Sequence, residues 1–119
     1  MNNPANTPEP MPVNQDDDQP VLWDLVIKDF KNKFCGDSKE DIIQLMRDRD
    51  FFGYAKYKVH LKVHNGRSFY NDLIQELLDS ACYAKGLCEE SPFFDDDLQD
   101  IYYSILKLLV LVYEHQNGV

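Results

Sequence analysis

The chain has 119 residues, and 21 acidic against 12 basic side chains leave a net charge of −9 and a pI near 4.6. Such a balance excludes a protein that grips a nucleic-acid backbone directly, which takes an excess of Lys and Arg, and it disfavours anionic membrane surfaces. A 44% hydrophobic and 13% aromatic composition is too rich for a wholly disordered chain, and the length allows one domain.

Residues 1–20 read as a disordered, acidic, Pro-rich leader. Five of the six prolines fall there (Pro4, Pro8, Pro10, Pro12, Pro20), with Glu9, Asp16, Asp17 and Asp18 and no Lys or Arg. Such a segment buries too little to offset its ordering entropy. Removing its four acids leaves the body, a single α-helical domain over 21–119, at −5. Residues 1–20 show neither the basic n-region nor the apolar h-region of a signal peptide, so none is expected, and Cys35, Cys82 and Cys88 form neither a CxxC pair nor an even framework. Reduced thiols in a cytoplasmic protein are the expectation.

The body reads as helices. Leu22, Trp23, Leu25, Val26, Ile27, Phe30 and Phe34 recur at helical spacing, and Cys35-Gly36 ends the run. Ser38 is placed as the N-cap of a second helix, from Lys39 to about Phe52, with Ile42, Ile43, Leu45 and Met46 inward. A break or bend at Gly53 and a continuation to Tyr57 are expected. Lys58 to His64 alternates like a strand and Asn65-Gly66 is a turn signal. No matching second strand follows, so an extended loop is preferred over a hairpin.

Ser68 to about Gly86 is the clearest amphipathic helix. Leu73, Leu77, Leu78, Ala81 and Cys82 share one side, with Cys82 read as core rather than nucleophile, and Gly86 is placed as the C-cap. A last helix, about Asp95 to His115, is apolar almost all round, yet too short and too interrupted to span a bilayer. It is central to a bundle or buried in an oligomer interface. The fold class is all-α, a four-helix bundle-like domain behind a disordered tail.

Two constellations carry chemistry. Asp72, Glu76 and Asp79 stand at i, i+4 and i+7, and three carboxylates on one helical face repel unless cations neutralise them. Mg²⁺ or Mn²⁺ does so through oxygen ligands; a solvated acidic face is the alternative. Residues 46–67 concentrate Arg47, Arg49, Lys56, Lys58, Lys62 and Arg67 among Phe51, Phe52, Tyr54 and Tyr57. That lining suits a nucleotide, with phosphates on Lys, Arg and metal and a base on an aromatic ring. Alternatively, Arg47 and Arg49 pair with Asp48, Asp50 or the acidic stripe. Zinc at His60 and His64 is a weaker reading, since their spacing helps only in a helix. No GxSxG, Gly-rich phosphate loop or Cys-His pairing supports nucleophilic catalysis.

Residues 21–86 resemble small phage and prophage proteins of the MazG-like, all-α nucleotide pyrophosphohydrolase type. The resemblance rests on Leu22-Trp23-Asp24-Leu25-Val26-Ile27, Arg47-Asp48-Arg49-Asp50, Gly53, Lys56-Tyr57, Leu61, Asn65-Gly66-Arg67, Asp72, Gln75-Glu76-Leu77-Leu78-Asp79 and Tyr83, with an insertion near residues 35–45. It implies a phage-encoded helical bundle that pairs with a second copy in the host cytoplasm and splits a nucleoside triphosphate between its α and β phosphates with Mg²⁺. Glu76 and Asp79 match the ExxD half of the family's carboxylate motif and take the catalytic role. The other half, two adjacent Glu and a third one turn on, is not present; Asp48 and Asp50 are the nearest substitutes, and Asp24 or Asp29 more distant ones. The implied metal set is Asp48, Asp50, Asp72, Glu76 and Asp79. Lys56 and Arg67 would meet phosphates, Tyr57 would stack on the base, and Asn65 would join them in the substrate site. Lys58 stands where the family has Gly.

A second class of function fits the same composition: a non-enzymatic acidic protein that presents Glu89, Glu90, Asp95, Asp96, Asp97 and Asp100 to a basic host protein as a nucleic-acid mimic. A third keeps the pocket and only sequesters a nucleotide, for example a cyclic signalling molecule.

Overall fold

A computed structural model describes Ala5 and residues 19–118. The expected leader of residues 1–20 therefore lies, but for Ala5, Gln19 and Pro20, outside the described residues. The fold is all-α: four helices, and among the described residues no strand beyond one isolated bridge. Two compact units divide at Arg67/Ser68, each built around one helical hairpin. No helix is long and apolar enough to cross a membrane among the described residues.

The first unit pairs α1 (Leu22–Lys33) with α2 (Lys39–Tyr57). Ile27 is the buried residue of α1, with Trp23 and Phe30 half-buried beside it. The helix stops where expected. Phe34 turns extended and stacks on Phe30, and Gly36 takes φ +127°, a conformation that side-chain-bearing residues rarely adopt. Lys39 Nζ donates to the Lys31 carbonyl (3.2 Å), tying the start of α2 to the end of α1. Ser38 does stand at the N-cap of α2, but its side chain makes no capping bond. With φ −85° and ψ −2° it is already helical, whereas a capping side chain needs extended backbone to reach back to the first turn.

Helix α2 is unbroken at Gly53 and continues to Tyr57, as expected for its end. Its inward stripe is Ile42, Ile43, Met46, Asp50, Gly53 and Tyr57, all buried or half-buried. Leu45, expected inward, is 67% exposed: two residues on from Ile43 is about 200° round the helix, the far side. The strand-like 58–64 stretch forms no hairpin. One antiparallel bridge, Val21 to Lys62, with Leu22 N–H donating to the Leu61 carbonyl (2.8 Å), lays the loop against the start of α1.

The second unit packs α3 (Phe69–Glu90) antiparallel to α4 (Asp96–Asn117). Ser68 caps α3, its hydroxyl accepting from Asn71 N–H (3.3 Å). Gly86 is not the C-cap. The helix passes through it to Glu90 and ends at extended Ser91, because Pro92 cannot continue a helix and pushes its predecessor out of helical geometry. Asp95 caps α4 by accepting from Leu98 N–H (3.1 Å), Asp96 and Asp97 follow in the positive first turn, and Gly118 closes the helix at φ +71°. The hairpin is pinned at both ends. Tyr70 Oη and His115 Nδ1 share a hydrogen bond of 2.6 Å, and Gln116 Nε2 donates to Asn71 Oδ1 (3.2 Å). At the connection, Cys88 Sγ donates to the Leu98 carbonyl (3.5 Å).

The seam between these helices is Ile74, Leu77, Leu78, Ala81, Ala84 and Cys88 against Leu98, Tyr102, Ile105, Leu109 and Val112. Apart from the adjacent Leu77 and Leu78, successive seam positions lie three or four residues apart, the spacing of interlocking helices. Leu73 and Cys82, both expected inward, are exposed, because the seam centres on Ile74 and Ala84. Cys88, not Cys82, is the half-buried thiol on this seam. Helix α4 itself contains no buried residue, though it is the most apolar of the four.

Candidate functional site

The basic and aromatic residues lie in the first unit, along α2 and the loop behind it. Lys56 sits on the last turn of α2, its ammonium 5.1 Å from the Tyr57 ring centre. Lys58 ends the helix in the left-handed region (φ +63°), as does His64 (φ +55°) later in the loop. Arg47 and Arg49 do not pair with Asp48 or Asp50. Asp48 accepts from Gln44 Nε2 (2.8 Å), Asp50 lies 2.8 Å from His60 Nδ1, and the Arg49 guanidinium lies over the Phe52 ring at 5.0 Å. Tyr54 stacks on His60 at 4.6 Å, so His60 is held between an aromatic face and a carboxylate. This contact weakens the zinc reading. His60 and His64 sit on irregular chain, where four residues apart does not put two imidazoles on one face.

The Asn65-Gly66-Arg67 turn is a built feature. Asn65 is completely buried, and its Oδ1 accepts from the Arg67 backbone N–H (2.9 Å), the side-chain mimic of a backbone turn. Gly66 supplies φ +84°. The Asn65 Nδ2 is buried without a hydrogen-bond partner among the described residues. A side chain with no accessible surface offers a ligand nothing to touch. Asn65 holds the turn that aims Arg67, which is half-buried.

The carboxylate stripe lies in the second unit. Asp72 is in the first turn of α3 and half-buried, and Glu76 and Asp79 follow on its exposed surface. Asp72 sits where the helix N-terminus favours negative charge. Glu76 and Asp79, three residues apart, are neighbours on the helix surface. Asp48 and Asp50 belong to the other unit. Among the described residues no three His, Cys, Asp or Glu side chains gather as a ready metal site.

Comparison with protein-family models, with curated proteins and with solved structures finds no match to this chain.

Two features escape the sequence. The Asp50–His60–Tyr54 contact joins α2 to the loop across ten residues of chain, and only the direction in which the loop folds back makes it. The other is a cleft of about 300 Å³ between α1 and α2, lined by Asp24, Ile27, Lys28, Lys31, Asn32 and Arg47. Helical spacing puts Lys28 and Lys31 on one face of α1, but nothing in the sequence says which residue of α2 lies opposite.

Proposed function

We propose that this chain is a nucleotide-binding protein of the metal-dependent pyrophosphohydrolase type, acting on a nucleoside triphosphate. The observation that carries the reading is the accessible carboxylate face of α3, where Glu76 and Asp79 stand side by side. An all-oxygen pair of this kind fits Mg²⁺ or Mn²⁺, since Mg²⁺ is held by one or two carboxylates and completes its shell with water and substrate phosphate. Bound there, the ion supplies Lewis acidity toward phosphate oxygens and lowers the pKa of water. Glu76 and Asp79 are the holding residues, with Asp72 one turn earlier. Within the first unit, Lys56 and Arg67 are the residues that the resemblance gives to phosphate, and Arg67 suits two oxygens at once through its planar fork. Tyr57 offers its ring to a base. Asn65 serves by fixing the turn.

Self-association belongs to the same reading. Ile101, Leu108 and Leu111 recur on α4 at seam spacing, and all three stay about half exposed. A phage origin and a host-cytoplasmic setting rest on the resemblance of residues 21–86 alone.

One observation favours a second reading, an acidic protein that docks on a basic partner. The α3–α4 connection carries exposed Glu89, Glu90, Asp96, Asp97 and Asp100 around Phe93 and Phe94, which are 66% and 76% exposed. Aromatic anchors ringed by charge are the composition of a binding hot spot.

Thermal melts of the purified chain with a panel of nucleoside triphosphates and cyclic nucleotides, each with and without Mg²⁺, test the choice. A metal-dependent rise in Tm supports the enzyme reading, and a metal-independent rise supports sequestration. No rise with any nucleotide overturns both and leaves the acidic-partner reading.

A further inference from the structure

We infer that the cleft between α1 and α2 is a binding site for a phosphate-bearing small molecule, held by Lys28, Lys31 and Arg47. The inference is independent of the pyrophosphohydrolase reading. The cleft includes none of Lys56, Tyr57, Asn65 or Arg67, and Arg47 lies about 14 Å along α2 from Lys56, at 1.5 Å per residue.

The first support is the gathering of positive charge in a chain of net charge −9. Lys28, Lys31 and Arg47 have no ion-pair partner among the described residues, as is also true of Lys33, Lys58, Lys62 and Lys107. What sets the three apart is that they line one cleft. The α2 acids nearest Arg47 in sequence are turned elsewhere, Asp48 to Gln44 and Asp50 to His60. Asp24 lines the cleft and stands four residues before Lys28, the favourable helical order for an ion pair, yet the two are not paired. A fourth cation is close: the Lys39 ammonium is fixed on the Lys31 carbonyl.

The second support is shape. Ile27, 5% exposed, forms an apolar floor, and Asn32 adds an amide. The cleft is open to solvent rather than enclosed, and its volume of about 300 Å³ is at the lower end of small-ligand sites, roughly 300–1,000 Å³. Three cations against one carboxylate select an anion. The Arg47 guanidinium matches two oxygens of one group, and the lysines, one turn apart on the facing helix, act as point charges. A phosphate or diphosphate has the charge density to use all three.

The test is an isothermal titration of the full chain, without divalent metal, with inorganic pyrophosphate, adenosine triphosphate and sulfate. Saturable binding of pyrophosphate or adenosine triphosphate is expected, weaker for sulfate and weakening further as salt rises. Equal affinity for the two phosphates assigns the free anion, and tighter adenosine triphosphate assigns a nucleotide carrier. Lys31→Ala combined with Arg47→Ala, both exposed positions, should weaken binding by about tenfold or more with unchanged circular dichroism. Lys107→Ala on α4 should leave it unchanged. No saturable binding overturns the site, as does equal weakening in the Lys107→Ala control.

Discussion

Replacing Gly86 by alanine should stabilise the protein, and the sign of the effect is diagnostic. The residue lies inside α3, four positions before its end, and its φ is not positive. A Cβ built there meets no atom within 4 Å. Glycine inside a helix costs about 0.8–1.0 kcal/mol relative to alanine, chiefly because the unfolded chain is freer. The added methyl neither clashes nor packs, so nearly all of that difference should appear as stability. One kcal/mol moves Tm by about 4–8 °C in a domain of this size, so a rise of roughly 3–8 °C is expected. The assay is urea and thermal unfolding followed by far-ultraviolet circular dichroism, with an unchanged urea slope showing that compactness is unaltered. A helix ending in a left-handed Gly86 would respond oppositely, since alanine there costs about 1–2 kcal/mol. A fall in stability would therefore refute the continuous α3.

Asp95→Ala should cost about 1 kcal/mol in the same melts, through loss of the cap on Leu98 N–H. Asn65→Ala should cost about 1–3 kcal/mol, because it removes the buried acceptor of Arg67 N–H; Asn65→Asp, which keeps that oxygen, should recover part of the loss. Leu108→Asp on α4 should leave the helical signal intact and lower the apparent mass in sedimentation if α4 is the self-association face; a mass equal to wild type would refute that assignment.

Much of the fold is legible in the sequence. The four helices, the Ser68 start of α3 and the irregular 58–67 loop follow from apolar period, caps and turn residues. The misses have physical causes. Gly86 and Gly53 look like breaks, but a glycine in a helix is only a modest loss that tertiary packing overrides. Leu45, Leu73 and Cys82 read as inward because a wide apolar arc does not say which of its edges meets the neighbouring helix. Ser38 has a capping residue's chemistry without its backbone. At the candidate site, the carboxylate stripe is legible because a helix makes i, i+4 and i+7 neighbours. The Asn65-Gly66 turn is legible too, but the burial of Asn65, the His60–Asp50 pair and the Lys28, Lys31, Arg47 cleft are not, because each depends on how separate segments come together.

The most direct test of the pyrophosphohydrolase reading is pyrophosphate release from nucleoside triphosphates by the purified chain with Mg²⁺, compared with Glu76→Gln. Glu76 is exposed on α3, so the variant should fold and melt as wild type does. The expected result is metal-dependent release by wild type and a loss of at least about 100-fold in the variant, some 2.7 kcal/mol of transition-state stabilisation. Release that is unchanged by Glu76→Gln, or absent in wild type with every nucleotide and metal, would contradict it.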